Sequence, residues 1–549
     1  MSNTWKPRLL CAALVGTLAV IGCFDFGTAQ QQCLDDGRCE TPIECVQTDP
    51  NDQPDDAFTD TNCDGIDGIA TAGIYVDPVS GLDTNTGSRE SPVKTIKKAL
   101  ELLRGDAGAN ITALYLAQGR YDEDQLTLDR PVSLYGAYGG AANKWKRKSE
   151  YITHLDGGTI GLTVSGLGQD AGVRLEWLTI TSANATANGA PSIAMRVLGS
   201  DLQLRHAILK AGQGAPGARG AIGDAGTDGP DGGPGTSGSG VTEGVAGAAP
   251  PHFCEGASHA GGNGRSGGAR NAGAAGNTGQ PPANGGGAGG DGGVVGEVDN
   301  GTVAVCVGGG GQNGGPGAPG IPGDAGPGGS GLGAVIGDTW VITPEGLGGA
   351  GTPGTAGAGG GGGGSGGGCP EGDPGNSQSG AGGGSGAGGG GGCGGQEGHG
   401  GGPGGASIAL LLVDSSAQLD QVTLSTLGGG AGGVGGEGGN GGRGGMGGPG
   451  GNGGVIESGA RWQTKIYVST GGTGGPGGQG GAGGNGGPGG GGAGGPSVGV
   501  WCLDGGVHAV DPSAITLTLG DPGMGGSSSG NRGADGLEIP YQSCNPTPP

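Results

Sequence analysis

Ser192-Ile-Ala-Met-Arg-Val-Leu-Gly-Ser-Asp-Leu-Gln-Leu-Arg-His-Ala-Ile-Leu-Lys210 decides the fold, because its pattern returns far downstream without a gap as Ser407 to Ser425. With one small shift it returns again from Ser497 to Leu519. Ile193, Met195 and Val197 recur as Ile408, Leu410 and Leu412, then as Val498, Val500 and Cys502. Leu202 and Leu204 recur as Ala417 and Leu419, then as Val507 and Ala509. Upstream, Val173 to Ser182 aligns with Leu202 to Ala211. Apolar residues at alternate positions are strand-like, with one face turned inward. Leu114, Leu116, Leu126, Leu128, Val132 and Leu134 extend the alternation toward the N-terminus. A short unit that recurs with excursions between its copies predicts a solenoid whose coils pair in parallel and bury one apolar ladder.

The excursions are glycine-rich. The first runs over 211–405 and the second over 428–496, and both leave and rejoin at the same point of the repeat. From Gly429 to Gly454, and again from Gly471 to Gly490, the second follows a Gly-Gly-X period. Val455 to Thr470 between them reads as the β-hairpin-like tip of a finger. Period three is that of an extended left-handed helix rising ~3.1 Å per residue, so such an arm reaches on the order of 80 Å. Every X then lies on one edge, and the bare glycine edges let neighbouring arms exchange backbone hydrogen bonds as polyglycine II bundles. Ordering this much glycine opposes that arrangement by roughly 1–2 kcal/mol per residue, and floppy coil is the alternative. No Gly-Lys-Ser/Thr follows these glycines, which excludes a phosphate loop.

With 153 glycines among 549 residues and 3% aromatics, the core must be thin and repetitive. A formal net charge of −24 argues against nucleic acid as a partner. Lys144, Lys146, Arg147 and Lys148 form one basic cluster, read as a solvated loop. Lys6 and Arg8 precede an apolar run from Leu9 to Ile21, too short for a bilayer span and suited to a secretory signal. Removing Cys11 and Cys23 from the 12 cysteines leaves an even number, which in an exported chain predicts disulfides. Among these, Cys502–Cys544 would pin the C-terminal segment over the last coil. In the first excursion Cys254, Cys306, Cys369 and Cys393 lie near His252, His259 and His399; without a tight C-x2-C spacing, disulfides are favoured over zinc.

Three stretches carry resemblances. Val20-Ile21-Gly22-Cys23 resembles the lipobox of bacterial lipoproteins. That implies cleavage after 1–22, acylation of Cys23 and, with Phe24 following, a lipid anchor in the outer membrane of a Gram-negative bacterium. Ordinary cleavage near Ala29 would instead release a secreted protein. Asp60-Thr-Asn62-Cys-Asp64-Gly65-Ile-Asp67-Gly68 carries the first half of an oxygen-rich calcium loop, although Thr71 stands where an EF-hand has glutamate. It resembles the metal-binding segment preceding the body of many bacterial surface lipoproteins, which makes Asp60, Asn62, Asp64 and Asp67 the expected Ca2+ ligands. Ile74 to Leu100, with Ser91-Pro-Val-Lys-Thr-Ile96, and then Val132 to Tyr138, Trp145, Arg147 and His154 to Gly158, resemble right-handed parallel β-helix proteins of the pectin-lyase-like class. Ile96, Ala99, Leu100 and Leu103 have the spacing of a helical cap on the first coil.

The expected organisation is an all-β, right-handed parallel β-helix. It comprises a signal peptide (1–22), an acidic Cys-rich tether (23–73), cap and coils (74–210), a glycine-rich insertion (211–405), one coil (406–427), a glycine-rich finger (428–496), and the last coil with its cap (497–549). The expected function is a surface structural or adhesive protein that meets a surface or matrix polysaccharide or protein. A β-helix lyase or hydrolase would need clustered carboxylates with a positioned base. Asp156, Asp201, Asp414 and Asp504 are available, yet Asp414 and Asp504 align with Gly199 and so read as turn residues. Ice binding by a flat polyglycine face is a third alternative, disfavoured by the irregular X residues.

Overall fold

The computed structural model of the chain describes residues 45–105, 110–282, 287, 295–300, 303–368, 379–462, 465–504, 506–509 and 512–546. Residues 1–22, expected to be a signal peptide, and Cys23, Cys33, Cys39 and Cys369 lie outside the described residues.

Alternation and parallel pairing together build a β-helix. One sheet runs in the spatial order Gly73–Val76, Ala113–Ala117, Ser133–Tyr138, Ile160–Glu176, Ser192–Arg205, Ser407–Val413, Ser497–Leu503 and Glu538–Gln542. A second stacks Gly119–Asp122, Thr153–Gly157, Leu178–Ser182, Ile208–Ala211, Thr423–Thr426 and Thr516–Thr518. Neighbours pair in parallel throughout. Met195, Leu410 and Val500 are opposite one another, as are Val197, Leu412 and Cys502. All are buried in one core with Leu114, Leu134, Leu155, Leu175 and Ile180. The register holds across each glycine excursion because a one-residue slip would turn these side chains outward.

Ile193, Ile408 and Val498 also stack in register, but not beside Met195 and Val197. Ala194 and Met195 both face the main core, so alternation breaks there. Ile193 therefore joins an outer cluster with Leu411, Trp501 and Trp340. Trp340 comes from the hairpin Ala334–Ile336/Thr339–Val341 inside the first excursion, folded back onto the sheet.

Two rows of left-handed residues turn the coil. Trp177, His206 and Gln421 have φ of 54°, 48° and 53°, and Gly199, Asp414 and Asp504 have φ of 53°, 46° and 51°. The helix Ile96–Leu103 caps the first coil, burying Ile96, Ala99 and Leu100. Thr95 Oγ1 accepts from the Lys98 amide, and the Glu123 carboxylate accepts from Ile96 and Lys97 at 2.6 and 2.9 Å. At the other end Glu538–Gln542 adds a strand, Pro540 interrupts its open edge, and a Cys502–Cys544 disulfide holds it, as the sequence suggested.

The glycine tracts are cross-linked by backbone hydrogen bonds that recur at every third residue. Gly217, Gly220, Gly223 and Gly226 donate to Ala431, Val434, Glu437 and Asn440 at constant offset, so these tracts run parallel. Gly433, Gly436 and Gly439 donate to Gly402, His399 and Gln396, an antiparallel pairing. The stretch 380–392 is enclosed by 214–238, 430–454, 471–495, 348–366, 259–268 and 244–247, each bonded to it and to the next around the ring. Composition follows position. Between 379 and 392 the only residues larger than glycine are Ser379, Ala381, Ser385 and Ala387, all buried. In the peripheral tract Ala431, Val434, Glu437, Asn440, Arg443 and Met446 point outward. Buried hydroxyls complete the bonding: Ser385 Oγ accepts from Arg265 N at 2.7 Å and Ser365 Oγ from Ala274 N at 2.8 Å.

The lattice continues the strand ladder, since Ser192 N donates to Ala406 O, Ser407 N to Pro496 O and Gly404 N to Ala493 O. At the far end Val455–Trp462 and Lys465–Thr470 pair antiparallel, the finger tip expected from sequence. Lys465–Thr470 also pairs in parallel with Val303–Gly308, so the two excursions share a tip sheet.

A Cβ on Gly386 would lie 1.8 Å from the Gly448 carbonyl oxygen, whereas Val434 is 37% exposed. Gly386→Ala is therefore expected to lower the melting temperature sharply and raise amide exchange across the bundle. Val434→Ala should stay within about 0.5 kcal/mol of the parent in denaturant unfolding.

Candidate functional site

The first sheet presents an aromatic stack on its outer face. Tyr75 and Tyr115 lie in register with ring centroids 5.3 Å apart, Tyr138 lies 5.2 Å from Tyr115, and Trp145 meets Tyr75 edge-on at 4.7 Å. Such rings need a cover, and residues 52–70, assigned to the tether by sequence, provide it. Ile66 is buried among them, and the Tyr138 hydroxyl donates to Asp67 O at 2.5 Å. A Cys45–Cys63 disulfide closes this segment on itself.

Within it, backbone amides draw the expected ligands together. Asp60 accepts from Asp64 N at 3.1 Å and from Gly65 N at 2.8 Å; Asn62 Oδ1 accepts from Asp64 N at 2.8 Å. Asp64 Oδ2 accepts from Ala70 N at 2.8 Å and from Asn62 Nδ2 at 2.9 Å. Asp60, Asn62 and Asp64 thus form one loop rich in oxygen. Asp67 does not join it: its carboxylate accepts from Asp55 N at 3.1 Å and from Arg147 at 3.0 Å.

The sequence groups Arg147 with solvated lysines, yet its side chain has no exposure, while Lys144, Lys146 and Lys148 are exposed. Its neighbours explain the burial. Besides Asp67 it meets Glu176 at 3.2 Å, donates to Gly136 O at 3.0 Å and lies 5.4 to 5.7 Å from the rings of Phe58, Tyr135 and Tyr138. The row continues up the coils, since Arg205 lies 3.7 Å from Glu176 and 3.1 Å from Asp420. Asp56 closes it from outside, 2.9 Å from both Arg205 and His206. His206 stacks on Trp177 at 4.3 Å, and Phe58 leans on the same indole at 5.3 Å. Alternating charges on successive rungs thereby bind the N-terminal segment to the body. Removing one partner would strand a buried charge.

Beside this segment lies a cleft of about 370 Å³, lined in part by Asp52, Gln53, Tyr115, Tyr135, Arg174 and Gln203. Arg174 Nε donates to Gln203 at 3.0 Å, and Gln203 stands opposite Gln418 on the next rung.

The candidate catalytic acids are placed by backbone needs. Asp414 and Asp504 occupy left-handed turn positions, and Asp201 accepts from Ser416 N at 2.9 Å. Asp156 sits on the outer face of the second sheet, 2.7 Å from Arg120 and 3.3 Å from His154, and accepts from the Thr181 hydroxyl. Sequence reading missed this cluster because its members come from separate rungs. Among the described residues, three metal-ligating atoms of His, Cys, Asp or Glu converge only at His252, Cys254 and Cys393. There the sulfurs are joined as a disulfide, the pairing the sequence favours over zinc, and Cys306 is likewise disulfide-bonded. No helix among the described residues is long and apolar enough to cross a membrane.

A protein-family profile described as a protein of unknown function (DUF1565) matches residues 79–189, the capped first coils. No curated protein and no solved structure matches the chain.

Burial pushes the Asp67 carboxyl up to about 7 from 3.8, against the pull of Arg147. A carboxyl raised by folding favours its protonated form, so stability should fall as pH climbs from about 4 to about 7, by at most ~1.4 kcal/mol per unit. Thermal unfolding across that range should show the loss, and Asp67→Asn should flatten it. Asp414→Gly and Asp504→Gly should be neutral to mildly stabilising by denaturant unfolding, because glycine fits φ near +50°. Asp414→Val should cost about 1–2 kcal/mol.

Proposed function

We propose that this chain is a cell-surface structural or adhesive protein in which a β-helix carries a stiff glycine-rich bundle. The single observation behind the reading is the continuous hydrogen-bond lattice joining both excursions to the rungs. A lattice of period-three donors with outward X residues is what a polyglycine II bundle requires, and it makes a presenting body. In this reading Cys23 carries lipid into the outer membrane, and the segment around Asp60 to Asp67 is the junction between anchor and body. Ca2+ would be held by Asp60, Asn62 and Asp64, with Asp67 serving Arg147 instead. The partner is a surface or matrix polysaccharide or protein. The cleft beside Arg174 and Gln203, with aromatic floor and planar polar donors, is its contact.

The lyase or hydrolase alternative gains little: Asp201, Asp414 and Asp504 answer to backbone geometry, and Asp156 is committed to Arg120, Thr181 and His154. Purified protein should bind immobilised matrix polysaccharide or surface protein without shortening it, and Arg174→Ala with Gln203→Ala should weaken binding about tenfold or more. Release of reducing ends or unsaturated sugars would overturn the reading. Labelled palmitate should enter the parent and not Cys23→Ser. Chelation should lower the melting temperature of the parent but not of Asp64→Asn.

A further inference from the structure

The disulfide that clamps the bundle has an imidazole poised over both sulfurs. His252 Nε2 lies 3.7 Å from Cys254 Sγ and 3.6 Å from Cys393 Sγ. Cys254 belongs to the hairpin Phe253–Cys254/Ala257–Ser258, and the half-buried Cys393 follows the enclosed stretch 380–392. The backbone on both sides is fixed. Cys393 N donates to Thr227 O, Gly442 N donates to Cys393 O, and His259 N donates to His252 O. His259 is itself anchored through Nδ1 to Gly357 O at 2.7 Å. The Cys393 sulfur also lies 3.2 Å from the Thr227 hydroxyl.

We propose that opening the Cys254–Cys393 bond turns this cluster into a site for a thiophilic divalent cation such as zinc, ligated by Cys254 Sγ, Cys393 Sγ and His252 Nε2. The geometry carries the claim. With Zn–N of about 2.0–2.1 Å and Zn–S of about 2.3 Å, a tetrahedral site has an N···S edge of about 3.5 Å. Both imidazole–sulfur distances are already close to that edge. Only the covalent Cys254–Cys393 bond is incompatible with the site, because two zinc-bound sulfurs stand about 3.8 Å apart at a tetrahedral edge. Side-chain rotation at the two cysteines supplies the difference while the hydrogen-bonded backbone stays in place.

The reaction balances with a dithiol as reductant. Its two thiols deliver two electrons and two protons, the Cys254–Cys393 bond breaks, and the reductant leaves as a disulfide. The cation then displaces both thiol protons. A fourth position remains for water. In either state the hairpin is tied to the enclosed tract, by a covalent bond when oxidised and by the metal when reduced.

The test uses the whole protein, reduced anaerobically with a phosphine and titrated with Co2+. Thiolate-to-cobalt charge transfer and strong tetrahedral visible bands should grow to a single equivalent and collapse on addition of zinc. His252→Ala should weaken the cobalt affinity about tenfold or more. The Cys254→Ser/Cys393→Ser pair should abolish the spectrum, whereas Cys45→Ser/Cys63→Ser should retain it. If the Cys254→Ser/Cys393→Ser chain does not fold, His252→Ala decides alone, since it keeps the clamp. An affinity unchanged in His252→Ala, a spectrum lost with Cys45→Ser/Cys63→Ser instead, or a Cys254–Cys393 bond that alkylation mapping finds unopened by the phosphine would each overturn the proposal.

Discussion

A buried backbone amide must find a carbonyl, and in this chain that requirement does most of what side-chain packing does elsewhere. An unpaired buried amide costs about 1–3 kcal/mol, and glycine offers no apolar surface to offset it. The molecule meets the demand at two periods. In the coils, alternate residues face the core while the backbone pairs sideways with the rungs above and below. In the tracts, successive amides reach different neighbours and every third returns to the same one, so the segment 380–392 is bonded on all sides. The two lattices share a register at Ser192, Ser407 and Ser497, which is why long excursions can leave the β-helix without disturbing it.

Close approach dictates composition from inside outward. Where a tract is enclosed, as from Gly380 to Gly392, a larger side chain would strike a carbonyl, and sequence there collapses to glycine, alanine and serine. Where it is peripheral, one residue in each period faces solvent and is free to vary. The irregular X residues that disfavour a single repeated ligand code are therefore what a solvent edge permits.

That relation made much of the fold legible. The recurrence of Met195 as Leu410 and Val500 identified rungs across the glycine excursions, and the alignment of Asp414 with Gly199 pointed to a turn, which the structure shows to be left-handed. Other features were hidden because they depend on partners remote in sequence. Nothing local marks the break at Ala194 and Met195, or says that Trp340 folds back over Leu411 and Trp501. Arg147 looked like a member of a lysine cluster because its carboxylates, Asp67 and Glu176, come from a preceding loop and a following rung. The same holds for His252, whose relation to Cys393 exists only after the tracts assemble.

The charges around Arg147 also explain why the N-terminal segment belongs to the body. An aromatic face as large as Tyr75, Tyr115, Tyr138 and Trp145 would be exposed if residues 52–70 were a loose leash. Covering it places Asp67 beside Arg147 in a dry environment, and the coil answers with Glu176, Arg205 and Asp420 on successive rungs. The guanidiniums offset part of the cost of burying these carboxylates, which couples the segment to the coils. The acidic loop at Asp60, Asn62 and Asp64 is consequently held against the first coils, where Arg89 donates to Asp64 O at 2.9 Å and to Gly65 O at 3.0 Å.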